Sequence, residues 1–346
     1  MKAMLLTALG KMDTGAPPLS MRTVPDPAPG EGEILLRVST CGVCHTELDE
    51  IEGRTPPPRL PVILGHQVVG EVVQAGSSAS KDFKRSVGER VGVAWIFSAC
   101  GECAHCLAGE ENLCAQFRAT GRDADGGYAE YMSVPEAFAH PIPEVLSDSE
   151  AAPLLCAGAI GYRSLRLADI RDGASLGLTG FGGSNHLVLK MARHLYPTSE
   201  VYVFSRSPDE REFARSLGAV WAGAIDAEAP IRLNAIIDTT PVWKPVVEAL
   251  RNLDAGGRLV VNAIRKESVD QGALLDLDYP THLWMEKELK SVANVTRQDV
   301  REFLALAAEA DIRPEYQEYA LEDANQALQE LRQGAIRGAK VLKIKS

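Results

Sequence analysis

Hydrophobic and polar positions change their pattern about 150 residues into the chain. Before that point, short β-type runs such as GEILLRVST, VVGEVVQAG, ERVGVAWIF and GGYAEYMSV are separated by glycine and proline. Short strands between turn residues predict a barrel-like or irregular β domain. The N-terminal run MKAMLLTALGKM is interrupted by Gly10 and Lys11, so it predicts a first strand and not a signal peptide.

The second part of the chain alternates between strand-like and helix-like patterns. Strands are predicted at ASLGLTG, EVYVFS, LNAIIDTT, GGRLVVNAI and LKSVANV, and helices at SNHLVLKMARHL, PDEREFARSLG and PVVEALRNL. Such alternation is typical of right-handed βαβ units and of a parallel sheet covered on both faces. The end, ALEDANQALQELRQGAIRGAKVLKI, predicts a helix, glycine-containing turns and a last strand that could return to the first domain.

Composition supports a globular protein of two domains. The 346 residues exceed the roughly 250 to 300 at which one core stops growing. The 45% hydrophobic and 24% charged residues are typical of soluble proteins. A net charge of -11 would repel a phosphate backbone, so no nucleic-acid partner is expected. No apolar stretch approaches the ~18 residues of a membrane helix, so we expect no membrane association and a cytoplasmic location.

The seven cysteines are too few and too clustered for a disulfide scaffold, which favours metal or catalytic chemistry in a reducing compartment. Four lie in CGECAHCLAGEENLC with Cys-x2-Cys-x2-Cys-x7-Cys spacing: Cys100, Cys103, Cys106 and Cys114. Two-residue gaps let thiolates turn onto one centre, and the fourth completes the tetrahedron that structural zinc prefers. An iron–sulfur cluster is an alternative, although ferredoxin runs with these gaps end in Cys-x3-Cys-Pro. A second alternative is that the four cysteines are reduced surface thiols that bind no metal.

Cys44, His66 and Cys156 are a second possible zinc set. Two thiolates and one imidazole hold zinc while leaving a fourth position open to substrate. Spacing alone does not identify this trio, because a single cysteine or histidine is more often a packing residue than a ligand. A redox dithiol of Cys41 and Cys44 is an alternative, but such a pair opens a helix, whereas EILLRVST predicts a strand here.

The run GLTGFGGSNH follows a predicted strand and opens a predicted helix, which is the context of a dinucleotide-binding turn. Gly180, Gly182 and Gly183 would supply the tight turn and the close backbone approach to a pyrophosphate at the helix N-terminus. Asn185 replaces the third glycine of the pattern. The helix is therefore expected to pack less closely on the strand or to begin slightly differently.

The next predicted strand ends in FSRSPDE, with no acid where a ribose-binding acid would stand. Ser205 and Arg206 occupy that place, and a small donor followed by a guanidinium suits a 2′-phosphate. Ser207, with Pro208 and Glu210 after it, predicts a helix start. We therefore expect NADP(H) to be preferred over NAD(H), unless Arg206 is only a solvated surface charge.

Five motifs in one order resemble the zinc-containing medium-chain alcohol dehydrogenases of the medium-chain dehydrogenase/reductase superfamily. They are GVCHTE, LPVILGHQVVGEV, the four-cysteine run, PLLCAG and GFGGSNH, and SVANVTRQD near the end also fits. The resemblance covers essentially the whole chain. It implies an α/β protein with a Rossmann domain, built on a doubly wound parallel sheet, and a mainly β, GroES-like catalytic domain. The implied ranges are 1–152 for the catalytic domain with a zinc lobe at about 98–116, 153–290 for the Rossmann domain, and 291–346 completing the Rossmann sheet and returning to the catalytic domain.

Carried over by position, the resemblance implies two zinc ions per chain. Cys44, His66 and Cys156 would bind a catalytic zinc, and the four-cysteine lobe would bind a structural zinc. Only the second cysteine of CGVC is then expected to touch metal. Cys41 is expected to be a small buried side chain.

The resemblance also implies roles for residues outside the metal sites. Thr46 resembles the hydroxyl residue that takes the substrate proton. His45 falls where the family places a basic side chain against the cofactor pyrophosphate, and Arg297 resembles an arginine that contacts the cofactor phosphates. Trp95 matches an aromatic wall of the substrate pocket, with a plain core aromatic as the equal alternative.

Four positions depart from the family pattern. Asp49 replaces the relay histidine, so proton exit would use water or a carboxylate, which is a poorer base at neutral pH. Gln67 replaces the glutamate that commonly follows the histidine ligand. Glu47 takes the place of the aspartate that orients that histidine, and its longer side chain still permits the bond. Ile160 stands where a nicotinamide-facing threonine is common.

The resemblance therefore predicts a zinc-dependent alcohol dehydrogenase or aldehyde reductase. The expected partners are NADP(H) and small or medium primary alcohols or aldehydes, with relatives commonly assembling as homo-dimers or homo-tetramers. A polyol or amino-alcohol dehydrogenase of the same superfamily is one alternative. A non-catalytic zinc-binding relative is another.

Overall fold

The structure is a computed structural model that describes residues 1–12, 17–76, 85–334 and 338–344. It contains two compact units. One unit comprises Met1–Cys156 and Val295–Ser346, and the other comprises Ala157–Asn294. Within the described ranges, no helix has both the length and the apolar composition that crossing a membrane requires.

The first unit begins as a mainly β structure, as its pattern predicts. Its strands up to residue 156 are β1 (Lys2–Leu6), β2 (Leu19–Thr23), β3 (Glu33–Val43), β4 (Val62–Ile63), β5 (Val68–Ala75), β6 (Arg90–Val93), β7 (Ile96–Ser98), β8 (Arg118–Ala119), β9 (Tyr131–Pro135) and β10 (Ala139–Pro141). Its helices there are α1 (His45–Ile51), α2 (Ala104–Leu107) and α3 (Asp148–Pro153). The long strand β3 pairs antiparallel with both β5 and β9, so it organises the main sheet of this unit.

The second unit alternates helices and strands. Its elements are α4 (Ala159–Ala168), β11 (Ser175–Thr179), α5 (Asn185–Leu195), β12 (Glu200–Phe204), α6 (Pro208–Ser216), β13 (Trp221–Gly223), β14 (Leu233–Asp238), α7 (Lys244–Asn252), β15 (Leu253–Val261) and β16 (Glu288–Ser291). The strands form one parallel sheet in the order β13-β12-β11-β14-β15-β16. This is the doubly wound order, which confirms the predicted Rossmann domain.

The centre of this sheet follows from its apolar sequence. Every residue of β11, SLGLT, is buried, as expected for a parallel strand with both faces covered. The order of strands reverses between β11 and β14. Open sheets of this kind bind ligands at the carboxyl ends of the strands at that reversal.

The C-terminal segment returns to the first unit. Its elements are α8 (Arg297–Glu309), β17 (Tyr316–Ala320), α9 (Ala324–Arg332) and β18 (Ala339–Lys343). β18 pairs antiparallel with β3 and parallel with β17, and the sheet order is β10-β6-β5-β3-β18-β17. The prediction that 291–346 also completes the Rossmann sheet is wrong beyond Ser291, where β16 ends. Val341 and Leu342 are instead fully buried against β3.

Candidate metal centres and cofactor-binding turn

Three parts of the first unit bring Cys44, His66 and Cys156 together. Cys44 directly follows β3 and is the N-cap of α1, His66 lies between β4 and β5, and Cys156 lies in a π-helical turn. Their ligand atoms all lie within 4.8 Å of one another, and His66 Nε2 is 3.2 Å from Cys156 Sγ. Two thiols and one imidazole at these distances fit zinc, which prefers sulfur and nitrogen donors in a tetrahedral set.

The turn that positions His66 requires a glycine. Gly65 has φ +98°, in the left-handed region that L side chains rarely adopt. A Cβ on Gly65 would also lie 2.4 Å from the ring of Tyr128. The chain can therefore bring His66 beside the two thiols only because this position has no side chain.

Glu47 orients His66. Its carboxylate is fully buried, and Oε1 lies 2.5 Å from His66 Nδ1. The other oxygen, Oε2, accepts a 2.8 Å hydrogen bond from the backbone N–H of Cys44. Because Nδ1 is engaged by the carboxylate, Nε2 is the ring atom that faces the thiols. The glutamate at this position thus makes the bond expected of the family's aspartate.

Hydrogen bonding prepares one sulfur of the trio for metal binding. The bond with Cys156 lowers the pKa of Cys44 well below its usual value, against the opposing effect of burial. The same bond and burial raise the pKa of Cys156. Burial disfavours a charged His66, but the negative charge of Glu47 and hydrogen bonds to Cys44 and Glu47 raise its pKa. Cys44 is therefore held towards the thiolate, the form that binds metal.

Cys41 lies apart from this set. Its thiol is fully buried, its Sγ contacts the Gly42 carbonyl at 3.6 Å, and burial raises its pKa. EILLRVST is a strand as predicted, in β3, but the strand does not exclude a dithiol by itself, since α1 begins at His45 directly after Cys44. A dithiol is disfavoured for a different reason, because Cys44 groups with His66 and Cys156 rather than with Cys41.

The neighbours of the trio have different surroundings. Thr46 is half-buried, with Oγ1 3.6 Å from Cys44 Sγ, whereas the His45 side chain is exposed. Asp49 is buried and forms a 2.5 Å ion pair with Arg54. The carboxylate proposed for proton exit is therefore already engaged by a guanidinium.

Trp95 is packed between two side chains. Its ring centroid lies 4.8 Å from that of Phe117, and the guanidinium of Arg122 lies 5.6 Å from the Trp95 ring. The indole Nε1 is buried and has no hydrogen-bond partner among the described residues. These contacts hold the ring in place, and its role as a pocket wall stays a prediction.

The four remaining cysteines form a second group in the first unit. Cys100, Cys103, Cys106 and Cys114 have their sulfur atoms within 4.8 Å of one another, in the lobe between β7 and β8. Backbone N–H groups of Glu102 and Cys103 lower the pKa of Cys100 to about 6. Four converging sulfurs, one of them stabilised as a thiolate by N–H donors, fit a closed tetrahedral zinc site.

The glycine turn lies at the carboxyl end of β11 in the second unit. Gly180 has φ +75°, and a Cβ there would meet Thr240 at 3.0 Å. Apart from their chain neighbours, no described residue has a heavy atom within 4 Å of the position that a Cβ would take on Gly182 or Gly183. The turn therefore leaves open space in front of the N-terminus of α5, which suits a pyrophosphate.

The end of β12 carries both a cation and an anion. The Arg206 side chain is exposed, while the buried Ser205 hydroxyl donates to Glu210 Oε2. Ser207 caps α6 as predicted, accepting from the backbone N–H of Glu210 at 3.3 Å. The hydroxyl of Ser205 is thus not a free donor. The Glu210 carboxylate therefore lies at the end of β12, where the sequence itself has no ribose-binding acid.

Arg297 begins α8 and is bound within the first unit. Its Nε donates to Glu111 Oε1 at 2.9 Å, and its guanidinium lies 4.8 Å from the centroid of the Phe138 ring. Glu111 is buried, 3% exposed, so it needs this counter-charge. The sequence did not indicate this ion pair, because the two residues are 186 positions apart. The predicted contact of Arg297 with cofactor phosphates stays a prediction.

Comparison with known proteins agrees with this architecture. Residues 30–144 match the model of the alcohol dehydrogenase GroES-like domain. The chain is 45% identical to a probable alcohol dehydrogenase, AdhA, of Mycobacterium tuberculosis, over 97% of this chain and 95% of that protein. It is 34% identical to an alcohol dehydrogenase of Geobacillus stearothermophilus, over 94% of this chain and 96% of that protein.

A solved structure shows the same fold. A thermostable alcohol dehydrogenase from Pyrobaculum aerophilum superposes with a TM-score of 0.87 at 25% identity, covering 99% of both chains. Similarity over nearly the whole length of these proteins extends through both units and the C-terminal segment. The chain therefore belongs to the zinc-containing medium-chain alcohol dehydrogenase family and is an oxidoreductase.

Proposed function

We propose that this protein is a zinc-dependent alcohol dehydrogenase or aldehyde reductase that transfers hydride between a small or medium primary alcohol and NADP(H). The observation that carries the proposal is the convergence of Cys44, His66 and Cys156, with Glu47 behind His66. Three protein donors leave one coordination position for substrate, whereas four donors close a site. The four-cysteine lobe fits the second, structural role.

The chain's own residues prepare the site for an alcohol. When bound, zinc supplies Lewis acidity that eases loss of the alcohol proton, and the nicotinamide supplies the hydride acceptor. Cys44, Cys156 and His66 Nε2 would hold the ion, and Glu47 keeps the imidazole in the required tautomer. Thr46, with Oγ1 3.6 Å from Cys44 Sγ, accepts a hydrogen bond from the substrate hydroxyl and relays the proton by donating its own hydroxyl proton to water.

The second unit binds the dinucleotide through its backbone. Gly182 and Gly183 leave space for a pyrophosphate at the N-terminus of α5. The exposed Arg206 at the end of β12 attracts a 2′-phosphate, and the Glu210 carboxylate held by Ser205 opposes it. We infer NADP(H) preference from the guanidinium, which is free to reach a phosphate, while the acid is tied to Ser205.

Arg206→Asp should reverse this preference. Purified enzyme with a panel of small aldehydes should show higher kcat/KM with NADPH than with NADH, followed by absorbance of the reduced nicotinamide. The substitution removes a charge-assisted contact and adds repulsion, so the NADPH/NADH ratio should fall by on the order of 10- to 100-fold. Arg232→Asp is the matched control, since Arg232 is exposed just before the amino end of β14. An unchanged ratio in Arg206→Asp would show that Arg206 does not recognise the phosphate.

We also propose that the protein is a homo-dimer formed through β16. All four residues of this edge strand are exposed, and among the residues that the structure describes no strand pairs with its outer edge. Tyr279, Trp284 and Met285, close to it in sequence, are each more than half exposed. Antiparallel self-pairing centred on Leu289 would set Glu288 opposite the partner's Lys290, so the charges are complementary. An unpaired edge strand with exposed apolar side chains near it favours association with another chain.

Leu289→Asp should therefore give a monomer. The substitution places two carboxylates opposite each other at the symmetry axis of the paired strands, where like charges repel. The molar mass should fall to half, measured by light scattering after size-exclusion chromatography. Val220→Asp, at an exposed position beside the opposite edge strand β13, should leave the mass unchanged. A wild-type monomer, or a Leu289→Asp dimer, would exclude this interface.

The thiolates that both candidate metal sites require fit a reducing compartment. A cytoplasmic location stays a prediction on this ground.

A further inference from the structure

Asn185 replaces the third glycine of the dinucleotide-binding pattern and is fully buried at the start of α5. Its side-chain Nδ2 lies close to four oxygen atoms at the carboxyl ends of β11 and β14. These are the Gly180 carbonyl at 2.8 Å, the Thr179 carbonyl at 3.1 Å, Thr239 Oγ1 at 3.2 Å and the Ile237 carbonyl at 3.4 Å. The side-chain amide thus donates to oxygen atoms at the ends of two strands that are adjacent in the sheet but far apart in sequence.

The surroundings fix the orientation of this amide. Three of the four neighbours are carbonyl oxygens, which only accept, and the fourth, Thr239 Oγ1, itself donates to the Thr179 carbonyl at 3.2 Å. The –NH2 group must therefore face them. Asn185 Oδ1 is buried on the other side without a partner among the described residues. Removing the amide would leave carbonyl oxygens buried with fewer donors, which is costly.

These bonds join the glycine turn to the segment after β14. The backbone N–H of Thr239 donates to the Thr179 carbonyl at 3.0 Å, so the two strand ends also meet directly. Gly180 packs so closely on Thr240 that a Cβ would lie 3.0 Å from its methyl group. The conformation of the Gly180 turn therefore depends on where residues 239 and 240 are held.

A lysine whose side chain is only 7% exposed holds the same segment from its other side. Lys266, after β15, pairs with the fully buried Asp238 at the end of β14 and also donates to the Thr240 and Val242 carbonyls, at 2.7 and 3.1 Å. Asp238 in turn accepts from Thr240 Oγ1 at 2.8 Å. The segment after β14 is thus fixed between Asn185 on one side and Lys266 on the other, at the reversal of strand order.

We propose that Asn185 is a positioning residue for the cofactor: it fixes the glycine turn in the conformation that accepts the dinucleotide pyrophosphate. This rests on the cofactor site proposed above. In the usual pattern, a glycine at this position allows close helix–strand packing. Here a carboxamide occupies that space and replaces the packing contact with hydrogen bonds to both strands. Preorganisation of this kind lowers the cost of binding without touching the reacting atoms.

Asn185→Ala should weaken cofactor binding selectively. The dissociation constants for NADPH and NADH should both rise on the order of 10-fold, as measured by fluorescence titration of the holo-metal enzyme, since the turn binds the part common to both. The KM for cofactor should rise in parallel, while kcat at saturating cofactor stays within about twofold. Thr239→Val, which removes only one partner of the amide, should shift the same constants less and in the same direction.

Asn252→Ala is the matched control. Asn252 is also buried in the second unit, and its Nδ2 donates to the Ala227 and Glu248 carbonyls at 3.2 and 3.0 Å, away from the glycine turn. This variant should lower thermal stability as Asn185→Ala does, but leave the cofactor dissociation constants unchanged. Equal constants for wild type, Asn185→Ala and Thr239→Val would overturn the inference, as would an equal loss of affinity in Asn252→Ala. Wild-type protein that binds neither cofactor would instead overturn the proposed function.

Discussion

Cys44→Ser should abolish alcohol oxidation and remove one of two zinc ions per chain. A serine hydroxyl stays protonated at neutral pH, whereas metal binding needs the thiolate that hydrogen bonding favours at Cys44. One thiol and one imidazole would remain, so the site would lack one of its three donors. We expect kcat/KM to fall by more than the ~10- to 100-fold that loss of an outer-shell partner costs. Zinc content by elemental analysis should fall from about two per chain to about one.

Cys41→Ser is the matched control for this variant. Cys41 lies three residues earlier, is fully buried and is outside the trio. Its replacement should preserve both zinc content and activity, with at most a modest loss of stability. Full activity in Cys44→Ser would exclude the proposed site. A wild-type content near one zinc per chain would favour a protein that keeps only the structural site and has no catalytic metal.

Cys103→Ser should unfold the four-cysteine lobe and destabilise the protein. No residue of α2 within this lobe is buried, and Leu107 and Leu113 are exposed, so the lobe has little apolar core of its own. Its order therefore depends on the metal, whose binding free energy is folding free energy. Loss of a structural metal belongs to the few changes that cost about 4–5 kcal/mol or more. Calorimetry should show a lower Tm, and limited proteolysis should cut within residues 100–114.

His105→Ala is the matched control, because it changes the lobe without removing a metal ligand. His105 lies between Cys103 and Cys106, is exposed, and makes a 3.3 Å contact with Glu110. Because it contributes no ligand to the sulfur cluster, its loss should leave zinc content, Tm and protease resistance unchanged. A Cys103→Ser protein with wild-type zinc content and Tm would show that the lobe is not held by metal. Iron in place of zinc in the purified wild-type protein would identify the alternative cluster.

The fold was predictable because its signals are local. Alternating strand and helix patterns after residue 150 identified the parallel sheet, and short runs between turns identified the β domain. The last strand was correctly predicted to return to the first domain, whereas the expectation that residues 291–346 also complete the Rossmann sheet was wrong, because that sheet ends with β16 at Ser291. Pairing of β18 with β3 is decided by a surface formed some 300 residues earlier in the chain.

The two candidate metal sites differ in how well the sequence predicts them. Cys100 to Cys114 are close in sequence, so their spacing alone indicates a common centre. His66 and Cys156 are 90 residues apart, and only the resemblance to a family linked them before the structure placed their ligand atoms together. Glu47 was predicted through the same resemblance, because it lies three residues after Cys44 on α1.

By itself the sequence determined the two kinds of unit, the glycine turn, the α6 cap and the sulfur-rich lobe. Each of these features depends on residues that lie close together in the sequence. Only the tertiary structure decided the partners of long or polar side chains. It engaged Arg297 with Glu111, Asp49 with Arg54 and Ser205 with Glu210. It also showed that Asn185, which stands where the usual pattern has a glycine, forms hydrogen bonds at the ends of two strands. A hydrogen bond requires its donor and acceptor to lie about 3 Å apart, within a few tenths of an ångström, and the chain brings these groups together only when it packs.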